Sequence, residues 1–150
     1  MAVAYGGSSL LCDKENIWLL CSGDAAKNET GGLFCIHPGT LKIVKQWTFA
    51  NPGFNPVKLK QNPAQDSLYF LYKGIFGFPK TASLLPASPF ISEASGANFY
   101  GFTVHPVNGN IVVADAADFI SRGKILVYLP NGTFIKSYGA GVVPAEFLWW

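Results

Sequence analysis

The clearest pattern of hydrophobic and polar positions lies between Phe99 and Phe147, where four short apolar runs alternate with turn residues. Runs of this kind, rich in β-branched and aromatic residues, predict β-strands. The four predicted strands are Tyr100–Val104, Asn110–Asp115, Lys124–Leu129 and Thr133–Tyr138. Short turns at 105–109 and 130–132 close the first and third hairpins, and the longer polar loop Ala116–Gly123 separates them.

Two earlier segments follow the same order of strands. The first has predicted strands at Ser8–Asp13, Ile17–Ser22, Gly32–His37 and Leu41–Phe49. The second has predicted strands at Val57–Gln61, Ser67–Tyr72 and Ile75–Phe78, followed by the proline-interrupted segment TASLLPASPFI. Because proline cannot donate a hydrogen bond to a neighbouring strand, the outer strand of this second unit should be short or irregular.

The residues that open the second strand of each unit, Ile17, Leu68 and Ile111, lie 51 and 43 positions apart. Spacings of about 40–50 residues are typical of β-propeller blades. We therefore predict an all-β fold: a β-propeller segment of about three four-stranded antiparallel blades that belong to a larger ring. The predicted blades span 8–50, 56–91 and 99–139, with a closing or partner strand at 144–150, where Glu146–Trp150 reads as a first strand. A β-sandwich of twelve short strands is the structural alternative.

Composition narrows the possible functions. Only 13% of the residues are charged and the net charge is +2, with the basic residues scattered singly along the chain. This distribution argues against a groove for nucleic acid. The glycine pairs do not open predicted helices, so a dinucleotide site is not expected, and no nucleophile–base pattern stands out. We therefore expect no cofactor and no catalytic residues.

The chain has three cysteines and two histidines. Their spacing does not match a metal site, and both histidines precede a proline in a predicted turn. Cys12 and Cys21 are predicted on neighbouring strands, which leaves two alternatives open. They could form a disulfide, or all three cysteines could be small buried hydrophobic residues, which we favour.

In a propeller, the loops between second and third strands and the loops between blades emerge on one face, where binding groups collect. The candidate ligand-binding residues on this loop face are Asp24, Asn28, Phe54, Asp115, Asp118, Phe119 and Arg122. Asp24 and Asp115 end equivalent strands, so both could face a ligand, or both could accept backbone hydrogen bonds at the loop entrance. Asp118 could likewise contact a ligand or pair with Arg122 in solvent.

The segment Asn110–Tyr138 carries a recognisable order: N-x-I/V, an apolar residue and V-A-D, a polar loop, G-K, an apolar run ending in V-Y, a turn, N-G and a strand. This order resembles the YVTN-type β-propellers of Bacteroidetes surface proteins, and the resemblance covers nearly the whole chain. It implies a ring of about seven blades, of which this chain would supply the last three.

The same resemblance implies a non-enzymatic protein of the bacterial cell surface or outer membrane. One branch of the family consists of lipoproteins that capture cobalamin for a TonB-dependent transporter, so a small nutrient and a transporter are the implied partners. The amino terminus lacks the basic start and apolar core of a signal peptide. Two alternatives stay open: a lactonase-like or lyase-like propeller enzyme with a metal or acid pair at its axis, and a pure protein–protein assembly module.

Neither end of the chain is polar. Phe147–Trp150 is wholly apolar, and the start of the first predicted blade, Ser8–Leu20, carries six large apolar residues: Leu10, Leu11, Ile17, Trp18, Leu19 and Leu20. Terminal repeats normally carry a polar outer face, because an uncovered apolar face invites association. We therefore predict self-association, or coverage of the open blade faces by other chains.

Overall fold

The computed structural model describes residues 3–149 and confirms the all-β prediction. Twelve strands and a single 3₁₀ turn, Ala25–Lys27, make up its regular secondary structure over these residues. The strands are β1 (Gly7–Cys12), β2 (Ile17–Asp24), β3 (Glu29–Ile36), β4 (Ile43–Thr48), β5 (Val57–Gln61), β6 (Ser67–Leu71), β7 (Gly74–Pro79), β8 (Ile91–Ser92), β9 (Phe99–Val104), β10 (Ile111–Asp115), β11 (Arg122–Tyr128) and β12 (Phe134–Val142).

The strands form three four-stranded sheets, each in simple sequential order: β1-β2-β3-β4, β5-β6-β7-β8 and β9-β10-β11-β12. Sequential antiparallel strands need only hairpin connections, which is the arrangement of a propeller blade. The most buried strands are β3 and β7 in the first two sheets and β10 (IVVAD), which is buried along its whole length, in the third. Strands that are covered on both faces show such continuous apolar runs instead of alternation.

The proline-rich outer strand of the second sheet is as short as predicted. Its β8 has two residues, and Pro86 and Pro89 lie five and two residues before it. The outer strand of the third sheet departs from the prediction in the opposite direction. We predicted that it ends at Tyr138, whereas β12 continues through Gly139–Val142. The two glycines in this stretch suggested a loop, yet both lie in β12, where Gly139 pairs with Lys124 of β11.

The chain divides into two compact units. One unit comprises the described part of Met1–Leu59 together with Ser83–Leu85. Its core is built on the two central strands, where Leu20 and Leu33 are fully buried, and the indole ring of Trp18 on β2 stacks with that of Trp47 on β4, with centroids 6.3 Å apart. The Nε1 of Trp18 donates a hydrogen bond to the carboxylate of Asp13, so the polar edge of the buried ring is satisfied.

The other unit comprises Lys60–Ala82 and Pro86–Trp150, described as far as residue 149. Within it, Phe70 stacks on Phe76 at 5.1 Å, and Ile111 and Val113 are fully buried. A β-carbon at the turn glycine Gly109 would be 3.6 Å from the ring of Pro63 and 3.4 Å from that of Pro130. Equivalent turns of two successive sheets therefore lie side by side in this unit.

The segment after β12 is not the strand that the sequence predicted at Glu146–Trp150. Residues 144–149 have no strand pairing, and Trp150 lies outside the described residues. Val143 adopts a positive φ of 51°, and Pro144 then lies against Gly123, where an added β-carbon would be 2.6 Å from its ring. A β-carbon at Gly101 would collide with the carbonyl oxygen of Ala145. The segment therefore crosses the third sheet where two glycines leave room.

The three cysteines are free thiols. Cys12 pairs with Ile17 across β1 and β2, and Cys21 pairs with Gly7, so the two cysteines are not opposite each other. Of the two alternatives, the structure favours separate thiols. Cys21 and Cys35 are buried as small hydrophobic residues, whereas Cys12 is exposed.

Candidate functional site

The loop between β10 and β11 begins at Asp115, the last residue of the buried strand β10. Its carboxylate is only 7% exposed and accepts hydrogen bonds from the backbone N–H of Asn98 and of Ala117, both at 2.9 Å. Asn98 also donates its side-chain amide to the carbonyl oxygen of Ala117. Asp115 therefore fixes the entrance of the loop to the segment that precedes β9, as the structural alternative predicted.

Asp118 organises the second half of the loop. Its carboxylate accepts hydrogen bonds from the backbone N–H of Ser121 at 2.6 Å and of Ile120 at 3.0 Å, and from the Ser121 hydroxyl at 2.8 Å. These donors, the two backbone N–H groups above all, lower the pKa of Asp118 because they favour the ionised carboxylate.

The prediction that Asp118 pairs with Arg122 is wrong. Arg122 instead donates its Nε hydrogen to the carbonyl oxygen of Ala140 on β12, at 3.3 Å. The Asp118 carboxylate instead accepts hydrogen bonds from Ile120 and Ser121, which are closer to it in the sequence than Arg122, in an Asx-type turn.

Directly after Asp118 the loop carries Phe119, whose backbone has a positive φ of 64°. A bulky residue with this φ is an outlier, because its β-carbon crowds the backbone. The ring of Phe119 contacts the ring of Tyr100 edge-on, with centroids 5.4 Å apart and an interplanar angle of 88°. Both rings are nearly half exposed, and the neighbouring Ile120 is 83% exposed. We call Tyr100, Phe119 and Ile120 the aromatic tip.

Asp24 and Asn28 hold the corresponding loop between β2 and β3. Asp24 accepts a hydrogen bond from the backbone N–H of Ala26 at 3.1 Å and forms an ion pair with Lys27 at 3.0 Å. The Lys27 ammonium, through its hydrogen bond, is the main reason that the pKa of Asp24 is lowered. Asn28 ends the 3₁₀ turn with a positive φ of 59°, and its backbone N–H donates to the carbonyl oxygen of Ala25. These groups close a turn.

Phe54, the remaining candidate, lies half-buried in the same unit. Its ring stacks on the buried ring of Phe49, with centroids 4.7 Å apart and nearly parallel planes. Its backbone N–H donates to the carbonyl oxygen of Asn51, which closes a turn. The contacts of Phe54 are therefore those of a packing residue at the end of a blade.

Of the seven predicted site residues, the structure brings Asp115, Asp118, Phe119 and Arg122 together around one loop. Sequence reasoning missed two members of the aromatic tip. Tyr100 was read only as a strand residue, although it is the exposed position between the buried Phe99 and Gly101. Ile120 was read as part of a polar loop, and the signal that could have found it is an isolated apolar residue among polar neighbours.

Two features are absent from the described residues, 3–149. No group of three or more His, Cys, Asp and Glu side chains is placed so that it could hold a metal ion. No helix in this part of the chain has the length and the apolar character that crossing a membrane requires. The histidines serve turns instead, because the Nδ1 atoms of His37 and His105 each accept hydrogen bonds from backbone N–H groups two and three residues ahead.

Comparison with known proteins gives a fold and no family. No family model matches the chain, and no curated protein matches it. Among solved structures, the chain is similar to a quinoprotein alcohol dehydrogenase-like protein from Bacteroides thetaiotaomicron, with a TM-score of 0.69 and 19% sequence identity. The alignment covers 87% of this chain and 33% of the Bacteroides protein, so our chain spans about a third of the length of that relative.

This likeness shows the fold alone. The three four-stranded antiparallel sheets and the similarity to a propeller-type protein together define the chain as a set of β-propeller blades. The β-sandwich alternative is therefore set aside. Membership of the YVTN-type family and a ring of about seven blades stay predictions.

Proposed function

We propose that the chain is a non-catalytic, ligand-binding part of a β-propeller and that the loop between β10 and β11 contacts the ligand. The single observation that carries this proposal is the aromatic tip. A phenylalanine is held at an unfavourable positive φ, and two of the three apolar side chains at the tip are adjacent in sequence and exposed. Backbone strain of this kind persists only where the surroundings enforce it, and it concentrates at functional sites.

The loop is held in one conformation before any ligand arrives. Asp115 fixes its entrance and Asp118 fixes its exit, through five hydrogen bonds in all. A site that is already ordered loses little conformational entropy on binding, so more of the contact energy appears as affinity. The two carboxylates therefore hold the loop rigid, and the exposed apolar side chains of the aromatic tip are available to contact a ligand.

The chemistry of the aromatic tip indicates the class of ligand. Two aromatic rings and an aliphatic side chain offer stacking and apolar contact, and the Tyr100 hydroxyl adds one hydrogen-bonding group. A ligand with a flat or weakly polar surface, such as a sugar ring or a corrin ring, fits this surface. Cobalamin, which the resemblance implies, belongs to this class.

We further propose that the parent protein acts at a bacterial cell surface and delivers its ligand to an outer-membrane transporter. The resemblance to surface propellers supports this, and the Bacteroides origin of the similar structure agrees with it. If the chain were instead part of an enzyme, we would expect the purified protein to retain one tightly held divalent metal per chain, which elemental analysis would detect.

A matched pair of variants tests the binding proposal. Ile120 and Val107 are both β-branched and are 83% and 82% exposed, but only Ile120 belongs to the aromatic tip. We would titrate the wild type with cobalamin and with a panel of oligosaccharides and follow the ring signals of Tyr100 and Phe119 by NMR. We expect at least one ligand to shift these signals and to raise the melting temperature by preferential binding to the folded state.

Ile120→Ala should then weaken that binding by about tenfold, the loss expected for a buried aliphatic contact, while Val107→Ala should leave it unchanged. The proposal is wrong if no compound of the panel perturbs the tip, or if both variants lose binding equally. Response to the sugars without response to cobalamin would keep the binding role and remove the cobalamin assignment.

An assembly function is a second candidate, favoured by one observation. Leu148 is 80% exposed at the end of the described chain, beside the partly exposed Trp149. Adjacent exposed apolar side chains of this size favour contact with another protein surface. Sedimentation of the wild type and of Leu148→Ser tests it, because an assembly module should sediment as an oligomer that the serine weakens.

A further inference from the structure

The three sheets end in outer strands that differ sharply in how they protect their free edge. The outer strand β8 has only two residues, and two prolines precede it closely. The outer strand β4 has six residues, with Lys45 at its centre. The outer strand β12 has nine residues without a proline. Natural proteins usually shorten or interrupt such edges, because unpaired backbone groups attract other strands.

The side chains of β12 are as accessible as its backbone. Every residue of the strand is exposed except Ala140, which is half-buried. Four of the exposed side chains are large and apolar: Phe134, Ile135, Tyr138 and Val142. Within residues 3–149, only β11 pairs with β12. An added strand would therefore find backbone partners and apolar contacts along the same edge.

The charge at this edge has one sign. Arg122, Lys124 and Lys136 lie on β11 and β12, and the stretch from residue 119 to residue 145 contains no aspartate or glutamate. None of these three cations forms an ion pair within residues 3–149, although Lys124 lies directly opposite Asp115 of β10 in the sheet.

The register places positive charge on both faces of the edge. Lys136 pairs with Val127 and so shares a face with Tyr138, over whose ring its ammonium lies at 4.9 Å. Lys124 pairs with Gly139 on the opposite face. A β-carbon at Gly139 would have no atom within 4 Å, so nothing separates Lys124 from the edge on that face.

We propose that β12 is an interaction edge that binds an extended, acidic segment of a partner protein by strand addition. Backbone hydrogen bonds to β12 would supply affinity, and carboxylates on the added strand would meet the cations on both faces. Pairing of β12 with a second copy of itself is the less favourable occupant, because it would bring like charges together on both faces. This edge is separate from the aromatic tip, so the inference stands apart from the proposed ligand site.

Synthetic peptides test the proposal on the whole chain. The probe is a capped peptide of eight residues in which valine and glutamate alternate, and the control peptide replaces glutamate with lysine. We expect the glutamate peptide to slow hydrogen exchange of β12 amides by about tenfold or more at millimolar concentration, and the lysine peptide to have no effect. Phe119→Asn should not change this protection.

Two charge reversals provide a matched comparison. Lys136 and Lys45 occupy outer strands, each two residues before an aromatic ring, and their ammonium groups lie 4.9 and 5.3 Å from those rings. The double variant K124E/K136E should weaken binding of the glutamate peptide by about tenfold or more, whereas K45E should not. All three lysines are exposed, but a carboxylate at position 124 would lie opposite that of Asp115, so K124Q/K136Q is the second pair, which removes both positive charges without this repulsion.

The proposal is overturned if the glutamate peptide protects no β12 amide, or if it binds wild type and K124E/K136E equally. It is also overturned if β12 amides become protected without peptide as protein concentration rises, since that result would identify a second copy of the chain as the occupant.

Discussion

Two loops of this chain begin in the same way and end differently. Each follows a second strand, and each opens with an aspartate, Asp24 or Asp115, that accepts the backbone N–H two residues ahead. Each also contains positive φ values at residues other than glycine: Asn28 in the first loop, and Ala117 and Phe119 in the second. Asparagine adopts that conformation readily, whereas phenylalanine does so at a cost. The first loop therefore has asparagine, which tolerates positive φ, at this conformation, whereas the second loop has phenylalanine, which does not.

The difference shows how a repeated scaffold acquires a site. The aspartate is common to both loops because it accepts backbone hydrogen bonds, and structural residues of this kind recur from one repeat to the next. What distinguishes the second loop is that its aspartate is buried and bonded to a second segment, while exposed apolar side chains stand at its tip. Function is thus indicated by Phe119, whose residue type does not suit its backbone conformation, and not by the aspartate that both loops share.

The largest expected difference between the two loops is in the stability that is lost when the aspartate of each is replaced by alanine. Asp115→Ala leaves two backbone N–H groups without their acceptor, so we expect it to lower the free energy of unfolding by about 2–3 kcal/mol. Asp24→Ala should have a much smaller effect, because its side chain is 30% exposed and water competes for its hydrogen bonds. Asp115→Asn is the control, since one oxygen of Asp115 accepts both hydrogen bonds and asparagine keeps an oxygen. Denaturant unfolding of the three variants measures this, and equal losses at Asp24 and Asp115 would remove the distinction.

Exchanging the residues with positive φ should have the next largest effect. Asn28→Phe places a bulky residue in the left-handed region, and we expect a loss of about 1 kcal/mol. Phe119→Gly relieves the same strain and should increase stability by a similar amount, reduced by the lost edge contact with Tyr100. Thermal melts of the two variants measure both changes in stability. Destabilisation by Phe119→Gly would show that the phenylalanine is there to hold the loop.

Acid should affect the two loops with different sensitivity to salt. The pKa values of Asp24 and Asp118 are lowered in the folded chain, so their stabilising effect is complete above the unfolded value of about 3.9. It is lost as the pH falls through the lower folded values. Because Lys27 is the main cause at Asp24, added salt should weaken the pH dependence there. The backbone donors at Asp118 should make its loop less sensitive to salt. Amide exchange at Ala26 and Ile120 between pH 2 and 5 measures both, and an identical salt response would contradict this assignment.

Much of the fold followed from the pattern of the sequence. The apolar runs of β2, β3 and β10 and the prolines before β8 act locally, so hairpins and a weak outer strand could be predicted from them. The extension of β12 could not, because Gly139 and Gly141 suggest a loop by themselves and become strand residues only through pairing with β11. The path of Pro144 and Ala145 depends on space left at Gly101 and Gly123, residues far away in the sequence.

The candidate site was predictable in position and only partly in detail. The loop was identified from Asp115, Asp118 and Phe119, but the ion pair expected between Asp118 and Arg122 is absent, because donors within the loop outcompete a longer side chain. The pairing of Phe119 with Tyr100 depends on the register of β9 and β10, which no local pattern specifies.

The central claim is that Phe119 is kept for recognition at the expense of local stability. Phe119→Asn tests it most directly, because asparagine tolerates the positive φ and lacks the ring. Unfolding free energy and affinity for the ligand found by the titration would be measured on the same preparation. We expect stability to stay the same or to rise by about 0.5 kcal/mol, while affinity falls by about tenfold or more. A variant that loses more than about 1 kcal/mol of stability and keeps its affinity would show instead that the ring is structural.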